Sequence, residues 1–118
     1  MGIRDDILSA DDSDLEEILI PKWTAEPLYV CVMSGTDRDA FEASMIVQRG
    51  KSQAQNLSNI RAKLAVRCLV DKDRNRIFSD DDADALGKKS GAELQRVFEV
   101  ARRKNRLSNE DVEELAKN

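Results

Sequence analysis

The rest of this chain is organised around residues 57–70, which read LSNIRAKLAVRCLV. Ile60, Leu64 and Cys68 recur at the spacing of a single helix face. Four further apolar residues carry the apolar surface round to the opposite side: Ala62, Ala65, Val66 and Leu69. A helix that is apolar on most of its circumference is typical of a buried position. We therefore predict a central buried helix over about residues 55–70, with the other segments packed around it.

Two apolar segments before this helix predict a β-hairpin over residues 17–33. The first strand, residues 17–23, contains Pro21, which has no amide proton for a ladder and so belongs at an edge or a strand end. The second, residues 28–33, reads LYVCVM and is rich in residues that favour strands. The sequence predicts no further strand to pair with this hairpin. Because an open edge is a template for another copy, we expect self-association through it.

The remaining periodic segments predict about five helices in all. One covers residues 37–48 with Phe41 and Met45 inward and a capping box at 36–39, and it breaks at 49–52. Ser79 and Ser90 are the predicted N-caps of the two helices that follow the central one, and Ser108 of the last. The predicted core consists of Ile60, Leu64, Cys68 and Leu69, packed against Phe41, Leu94, Val97 and Phe98. The predicted fold class is mainly α (α+β), with an N-terminal β-hairpin followed by the helices.

Length and composition predict one modest domain with a heavily charged surface. The chain has 118 residues, of which 36% are charged, and its net charge is −4. We expect an acidic arm over residues 1–15, either loosely ordered or forming a short helical turn, and a single helical domain over 16–118. The acidic balance argues against nucleic-acid binding, and no apolar run is long enough to span a membrane. Cys31 and Cys68 are isolated, which favours two reduced, small apolar side chains over a disulfide.

The absence of histidine excludes His-based triads, His metal sites and the usual general base at neutral pH. The other titratable side chains form no recognisable catalytic constellation. The sequence therefore predicts a protein that is not an enzyme and that needs no cofactor.

An Asp-rich segment at residues 71–82 mimics an EF-hand calcium loop. Its candidate ligands are Asp71, Asp73, Asn75 and Asp82. The loop needs Gly at its sixth position, which is Arg76 here, and normally ends in Glu rather than Asp. Cations also lie inside the would-be cage. An Asx-rich turn followed by a helix cap therefore explains the pattern better than a metal site.

Two sets of residues are candidates for binding a partner. The first is a basic cluster at 102–106, where Arg102, Arg103 and Arg106 either complement a helix C-terminus or meet an acidic surface. The acidic helix predicted after it repels phosphate, which argues against a helix-turn-helix. The second set is Trp23 and Tyr29, residue types that favour interfaces. In a domain this small they fit the core equally well, and the sequence leaves both alternatives open.

Several segments also occur in a characteristic order. They are RDDILSADD at 4–12, IPKW at 20–23, SGTDRDAFE at 34–42, LVD and NRIFSD within 69–80, and Leu94, VFEVA at 97–101 and LS at 107–108. This series covers nearly the whole chain and resembles the tail assembly chaperones of long-tailed bacteriophages with non-contractile tails (siphophages). The family commonly has Gly within the Asp-rich turn, where this chain has Lys72 and Arg74, a departure that affects turn geometry.

The resemblance implies a non-catalytic protein that holds the tape measure protein, keeps it soluble and recruits subunits of the major tail tube protein. Such a protein acts in the host cytoplasm and is absent from the mature virion. Many members also exist as a longer, frameshifted form, for which the A-rich codons of Lys117 and Asn118 are a place to look. We expect helix-in-groove recognition involving the helices at 37–48 and 92–106. The alternatives are an EF-hand-like calcium-binding protein and a small helical adaptor or regulatory protein.

Overall fold

The computed structural model describes residues 2–49, 52–55 and 59–107. Its elements, in chain order, are α1 (Ile3–Ser9), β1 (Leu15–Ile18), β2 (Leu28–Cys31), α2 (Gly35–Ala43), β3 (Ile46–Arg49), β4 (Ser52–Gln55), α3 (Ile60–Cys68), β5 (Leu69–Val70), a 3-10 turn (Asp80–Asp82), α4 (Ala83–Leu86) and α5 (Gly91–Lys104). The α+β fold class with an N-terminal hairpin is confirmed. The helix predicted after Ser108 lies outside the described residues.

Helix α3 lies at the centre of the core, as the sequence predicted. Leu64, Ala65 and Cys68 are fully buried, and helices α2, α4 and α5 all pack on α3. The predicted bounds were too wide, because Gln55 belongs to β4 and Leu69–Val70 form β5. Helix α3 begins after Asn59, whose φ of 57° is left-handed and incompatible with a continuous helix.

The core contains most of the residues predicted for it. Phe41, Leu69, Leu94 and Val97 are buried with the inward face of α3. Ile60 and Phe98 are only half-buried and pack at its margin. At this margin the Arg61 guanidinium lies 5.8 Å from the centre of the Phe98 ring, an arrangement in which a cation is attracted to an aromatic face.

The N-terminal hairpin belongs to a three-stranded antiparallel sheet with the order β1-β2-β5. Its strands are shorter than predicted, and Pro21 lies in the loop between them. Tyr29 of β2 is paired with Glu17 on one side and with Val70 on the other. The prediction that the chain has no further strand for this hairpin was therefore wrong. The reason is that Leu69 and Val70 continue the apolar pattern of α3, and two residues show no strand period of their own.

A second hairpin, β3–β4, replaces the end of the helix predicted at 37–48. Helix α2 ends at Ala43, and Ile46 on β3 is then paired with Gln55 on β4. The β-branched pair Ile46-Val47 favours a strand, a preference that the helical spacing of Phe41 and Met45 concealed. The N-cap of α2 also differs from the capping box predicted at 36–39. It is Ser34, whose side chain accepts a hydrogen bond from the Asp37 amide at 3.1 Å.

Ser79 and Ser90 are both N-cap residues as predicted, but only the Ser79 side chain takes part in capping hydrogen bonds. Ser79 forms a capping box with Asp82, whose carboxylate accepts the Ser79 amide at 2.9 Å. Ser90 precedes α5 as predicted, but its side chain makes no capping hydrogen bond.

The buried side chain of Asn105 fastens the end of α5 to the end of β2. Its Oδ1 accepts the Met33 amide at 2.6 Å, and its Nδ2 donates to the carbonyls of Ala101 at 2.8 Å and Cys31 at 3.3 Å. Its own carbonyl accepts Arg38 at 3.1 Å. The C-terminal turn of α5, which carries the basic cluster, is thereby held against the sheet.

Candidate functional site

The Asp-rich segment is the turn of a small β-hairpin, in which Arg76 pairs with Val70. The Asp71 carboxylate accepts the amides of Asp73 at 2.8 Å and Asn75 at 3.0 Å. The hydrogen bond from Asn75 is the main reason that the pKa of Asp71 lies below its ordinary value. Asp82 caps the following turn instead. Among the residues with described positions, no group of three or more His, Cys, Asp or Glu side chains is placed to hold a metal ion.

Arginines hold this segment in place. Arg76, at the position where a calcium loop needs Gly, donates to the Val66 carbonyl at 2.8 Å and to Asp80 at 2.7 Å. Arg67 binds the other oxygen of Asp80 at 2.5 Å. Arg74 has a φ of 69°, the left-handed conformation that Gly adopts without strain. Of the cations that argue against calcium in the sequence, Arg76 therefore has a structural role.

The basic cluster occupies the last turn of α5 and the residues after it. Arg102 pairs with Glu99 at 2.8 Å, Arg103 pairs with Glu16 at 2.6 Å, and Lys104 pairs with Asp14. Hydrogen bonds from Arg103 and Lys104 are the main cause of the lowered pKa of Glu16 and Asp14. The cluster is thus partly neutralised by the acidic segment that precedes and begins β1.

Arg106, which is exposed like Arg103, terminates α5. Its φ of 55° is left-handed, and the next amide, that of Leu107, returns to the Arg102 carbonyl at 2.8 Å. This is the arrangement of a helix C-cap at which Gly is the usual residue.

Trp23 and Tyr29 line different depressions of the surface, and both are half-buried. Tyr29 lies beside Pro27 and Lys72 in one pocket. Trp23 packs against the core from the loop after β1. Core and interface positions were both compatible with the sequence for these two residues, and in the structure each one has a buried and an accessible part.

The pocket at Trp23 is the more apolar of the two, and we call it the Trp23 groove. It has a volume of about 500 Å³ and is lined by Lys22, Trp23, Phe78, Asp82, Ala85, Leu86 and Lys89. Leu86 is buried, whereas Lys22 and Lys89 are exposed and make no ion pair within the described chain. Two lysines against the single carboxylate of Asp82 leave the groove with a net positive charge.

Helix α1 presents a protruding apolar surface instead of a groove. Its apolar side chains Ile3, Ile7 and Leu8 are 77%, 67% and 68% exposed, and the helix has no buried residue. Asp5 and Asp6 lie beside them. We call these three apolar residues the α1 ridge. The sequence predicted a loose arm or a short helical turn here. The exposed ridge itself was not predicted, although Ile3 and Ile7 at helical spacing were a usable signal.

Comparison with known proteins decides the family. A family model described as phage tail assembly chaperone matches residues 6–118. The chain belongs to this family. Its kind of function is therefore chaperoning in tail assembly, which is non-enzymatic, and the resemblance seen in the sequence is confirmed.

One solved structure supports the fold. The structure of the bacteriophage HK97 tail assembly chaperone matches with a TM-score of 0.57 and 15% sequence identity, covering 90% of this chain and 93% of that one. At this identity the similarity concerns the fold alone. No curated protein sequence gives a significant match. Within the described residues, none of the helices has the length and apolar character needed to cross a membrane.

Proposed function

We propose that this chain binds the tape measure protein, keeps it soluble during tail assembly and recruits the major tail tube protein. The observation that carries the proposal is the family match over residues 6–118. In this proposal the protein acts in the host cytoplasm, is absent from the mature virion, associates with itself and binds no nucleic acid.

The structure leaves accessible only part of the surfaces first predicted to contact the tape measure protein. The apolar stripe of α5 lies in the core, since Leu94, Val97 and Ala101 are buried. Phe41 of α2 is buried as well. These stripes therefore cannot receive a partner helix. The accessible part of Tyr29 and the basic cluster are the remaining candidate contact surfaces.

The basic cluster suits an acidic flank of a long helical partner. Arg106 is exposed, and Arg102 and Arg103 pair with Glu99 and Glu16 near the surface. Exposed ion pairs contribute only about 0.2–1 kcal/mol each. Exchanging these carboxylates for those of a partner therefore costs little, and the Tyr29 ring supplies an apolar anchor beside Pro27.

Co-expression with the tape measure and tail tube proteins tests the proposal. We expect the tape measure protein to remain in the soluble fraction and to co-purify with this chain. Arg106→Glu should reduce the co-purified amount severalfold at low salt, because it reverses an exposed charge of the basic cluster. Lys88→Glu is the matched control, an equally simple reversal of an exposed lysine outside the cluster.

Two outcomes contradict the proposal at different levels. If neither protein is held in solution by, or co-purifies with, the wild-type chain, the chaperone role proposed here is wrong. If Arg106→Glu and Lys88→Glu behave like the wild type, only the assignment of the basic cluster is wrong.

A further inference from the structure

Helix α1 has the chemistry of a docking segment. It has seven residues, none of them buried, and three of its side chains are large and apolar. Isolated helices shorter than about 12–15 residues are marginal in water and depend on packing of an apolar face. The described chain offers α1 no such packing, so the helix requires an apolar surface from elsewhere.

The Trp23 groove complements α1 in both apolar character and charge. Trp23 and Phe78 provide apolar walls for a narrow ridge, and the groove is rimmed by Lys22 and Lys89. On α1, Arg4 pairs with Asp5 at 3.2 Å, and Asp6 leaves the helix with a net negative charge beside its apolar residues. An acidic helix with an apolar ridge is therefore the occupant that this cationic groove favours.

The chain directs α1 away from its own groove. Glu16 and Asp14 are paired with Arg103 and Lys104 at the C-terminal end of α5. The groove is near the opposite end, because Leu86 and Lys89 immediately precede α5. Helix α5 has 14 residues, which separates its two ends by about 20 Å at 1.5 Å per residue.

We propose that α1 of one copy docks in the Trp23 groove of a second copy. This inference rests on the self-association included in the proposed function, and names the surfaces that produce it. The ridge and the groove are different surfaces, so the contact is heterologous. Each added copy presents a free groove at one end and a free α1 at the other, and the assembly grows into a ring or an open helical array.

The docked surface is small, and we therefore expect association in the micromolar range. Sedimentation velocity and light scattering from about 1 to 500 μM should show the mass of the wild-type protein rising with concentration in this range. Trp23 is the only tryptophan of the chain. Its emission should shift to shorter wavelength over the same concentrations, since docking removes its ring from water.

Variants of each surface make the test specific. Ile7→Asp places a charge on the α1 ridge, and the double variant Lys22→Glu, Lys89→Glu reverses the groove rim. Each should weaken association by about tenfold or more, the loss expected when a central anchor or its charge partner is removed. Ser9→Asp is the matched control for Ile7→Asp, because it adds the same charge to the opposite face of the exposed helix.

Mixing the two defective proteins is the decisive measurement. The Ile7→Asp copy retains an intact groove, and the groove variant retains an intact α1. We expect the mixture to form a one-to-one dimer that grows no further, with a blue-shifted Trp23 emission. Separately, each protein should stay monomeric at the same concentration, whereas the Ser9→Asp variant should assemble like the wild type.

Three results overturn the proposal. The α1–groove contact is wrong, but self-association is not, if the wild type assembles and either the mixture stays monomeric or the variants assemble like the wild type. If the wild type is monomeric at every concentration, both the α1–groove contact and self-association are wrong. The co-purification test of tape measure binding is independent of this result. If Ile7→Asp shifts the Trp23 emission of dilute monomer, each α1 occupies its own groove and the second copy is the wrong occupant.

Discussion

Replacement of Asn105 by alanine tests how the end of α5 is attached to the sheet. The side chain is buried and makes three hydrogen bonds to backbone groups, those of Met33, Ala101 and Cys31. A typical hydrogen bond contributes about 1 kcal/mol net, and a buried group left without a partner costs about 1–3 kcal/mol. The Met33 amide and the Cys31 carbonyl both lose their side-chain partner in Asn105→Ala. We therefore expect the free energy of unfolding to fall by about 3 kcal/mol.

Urea unfolding followed by circular dichroism measures this loss. With a slope of about 1–3 kcal/mol per molar urea, a loss of this size moves the midpoint by about 1–3 M. Asn105→Asp is the informative second variant, because it keeps the acceptor for Met33 but donates to neither carbonyl and places a charge in a buried site. It should be at least as destabilising at pH 7, and part of its stability should return on acidification, when the protonated carboxyl becomes a donor again.

The result that refutes this reasoning is a small effect. If Asn105→Ala costs less than about 0.5 kcal/mol, the scale of an ordinary surface substitution, Asn105 does not fasten α5 to β2. A wild-type midpoint for Asn105→Asp at pH 7 contradicts the burial of the side chain.

Three further predictions concern the core, the end of α5 and the buried thiol. Leu64→Ala should lower the free energy of unfolding by about 2–5 kcal/mol, because Leu64 is fully buried at the centre of the core; Leu19→Ala, at a residue 53% exposed, should stay within about 0.5 kcal/mol in the same urea titration. Arg106→Gly should raise the unfolding free energy by about 1 kcal/mol, since its φ of 55° strains a side chain but not glycine; an Arg106→Ala variant as stable as Arg106→Gly contradicts this. Burial raises the pKa of the Cys68 thiol from 9.0 to about 12. The unfolded thiol therefore ionises before the folded one, so stability should decline as pH rises from 9 towards 12, and Cys68→Ala should reduce that decline. If the dependence of stability on pH is the same in Cys68→Ala and the wild type, the Cys68 thiol has the same pKa in the folded and unfolded states.

The predictions that failed did so where strands follow or interrupt a helical pattern. Residues 46–48 extended the period of α2, and Leu69–Val70 extended that of α3, so both were assigned to helices. Helical periodicity reports which side chains are apolar, and a two- to four-residue strand is too short to show a period of its own. Strand β5 pairs with β2 because the end of α3 lies beside β2 in the fold. This contact joins residues about 40 positions apart, so no local pattern indicates it.

The candidate site was predictable only in part. The basic cluster and the Asp-rich turn were recognised from residue types, and their helix C-terminal and turn positions are as expected. Neither the Trp23 groove nor the exposure of the α1 ridge was predicted. A groove is formed by residues far apart in the chain, here Trp23, Phe78 and Leu86, and no local pattern relates them.

The sequence by itself determined the buried central helix, the apolar stripe of α5, the N-terminal hairpin and the family. These follow from local order, because the spacing of apolar residues and the succession of short motifs are properties of neighbours along the chain. Only the tertiary structure decided which apolar faces remain accessible. Burial is shared among segments that meet in space: α5 buried its stripe against α3, while α1 was left with Ile3, Ile7 and Leu8 exposed.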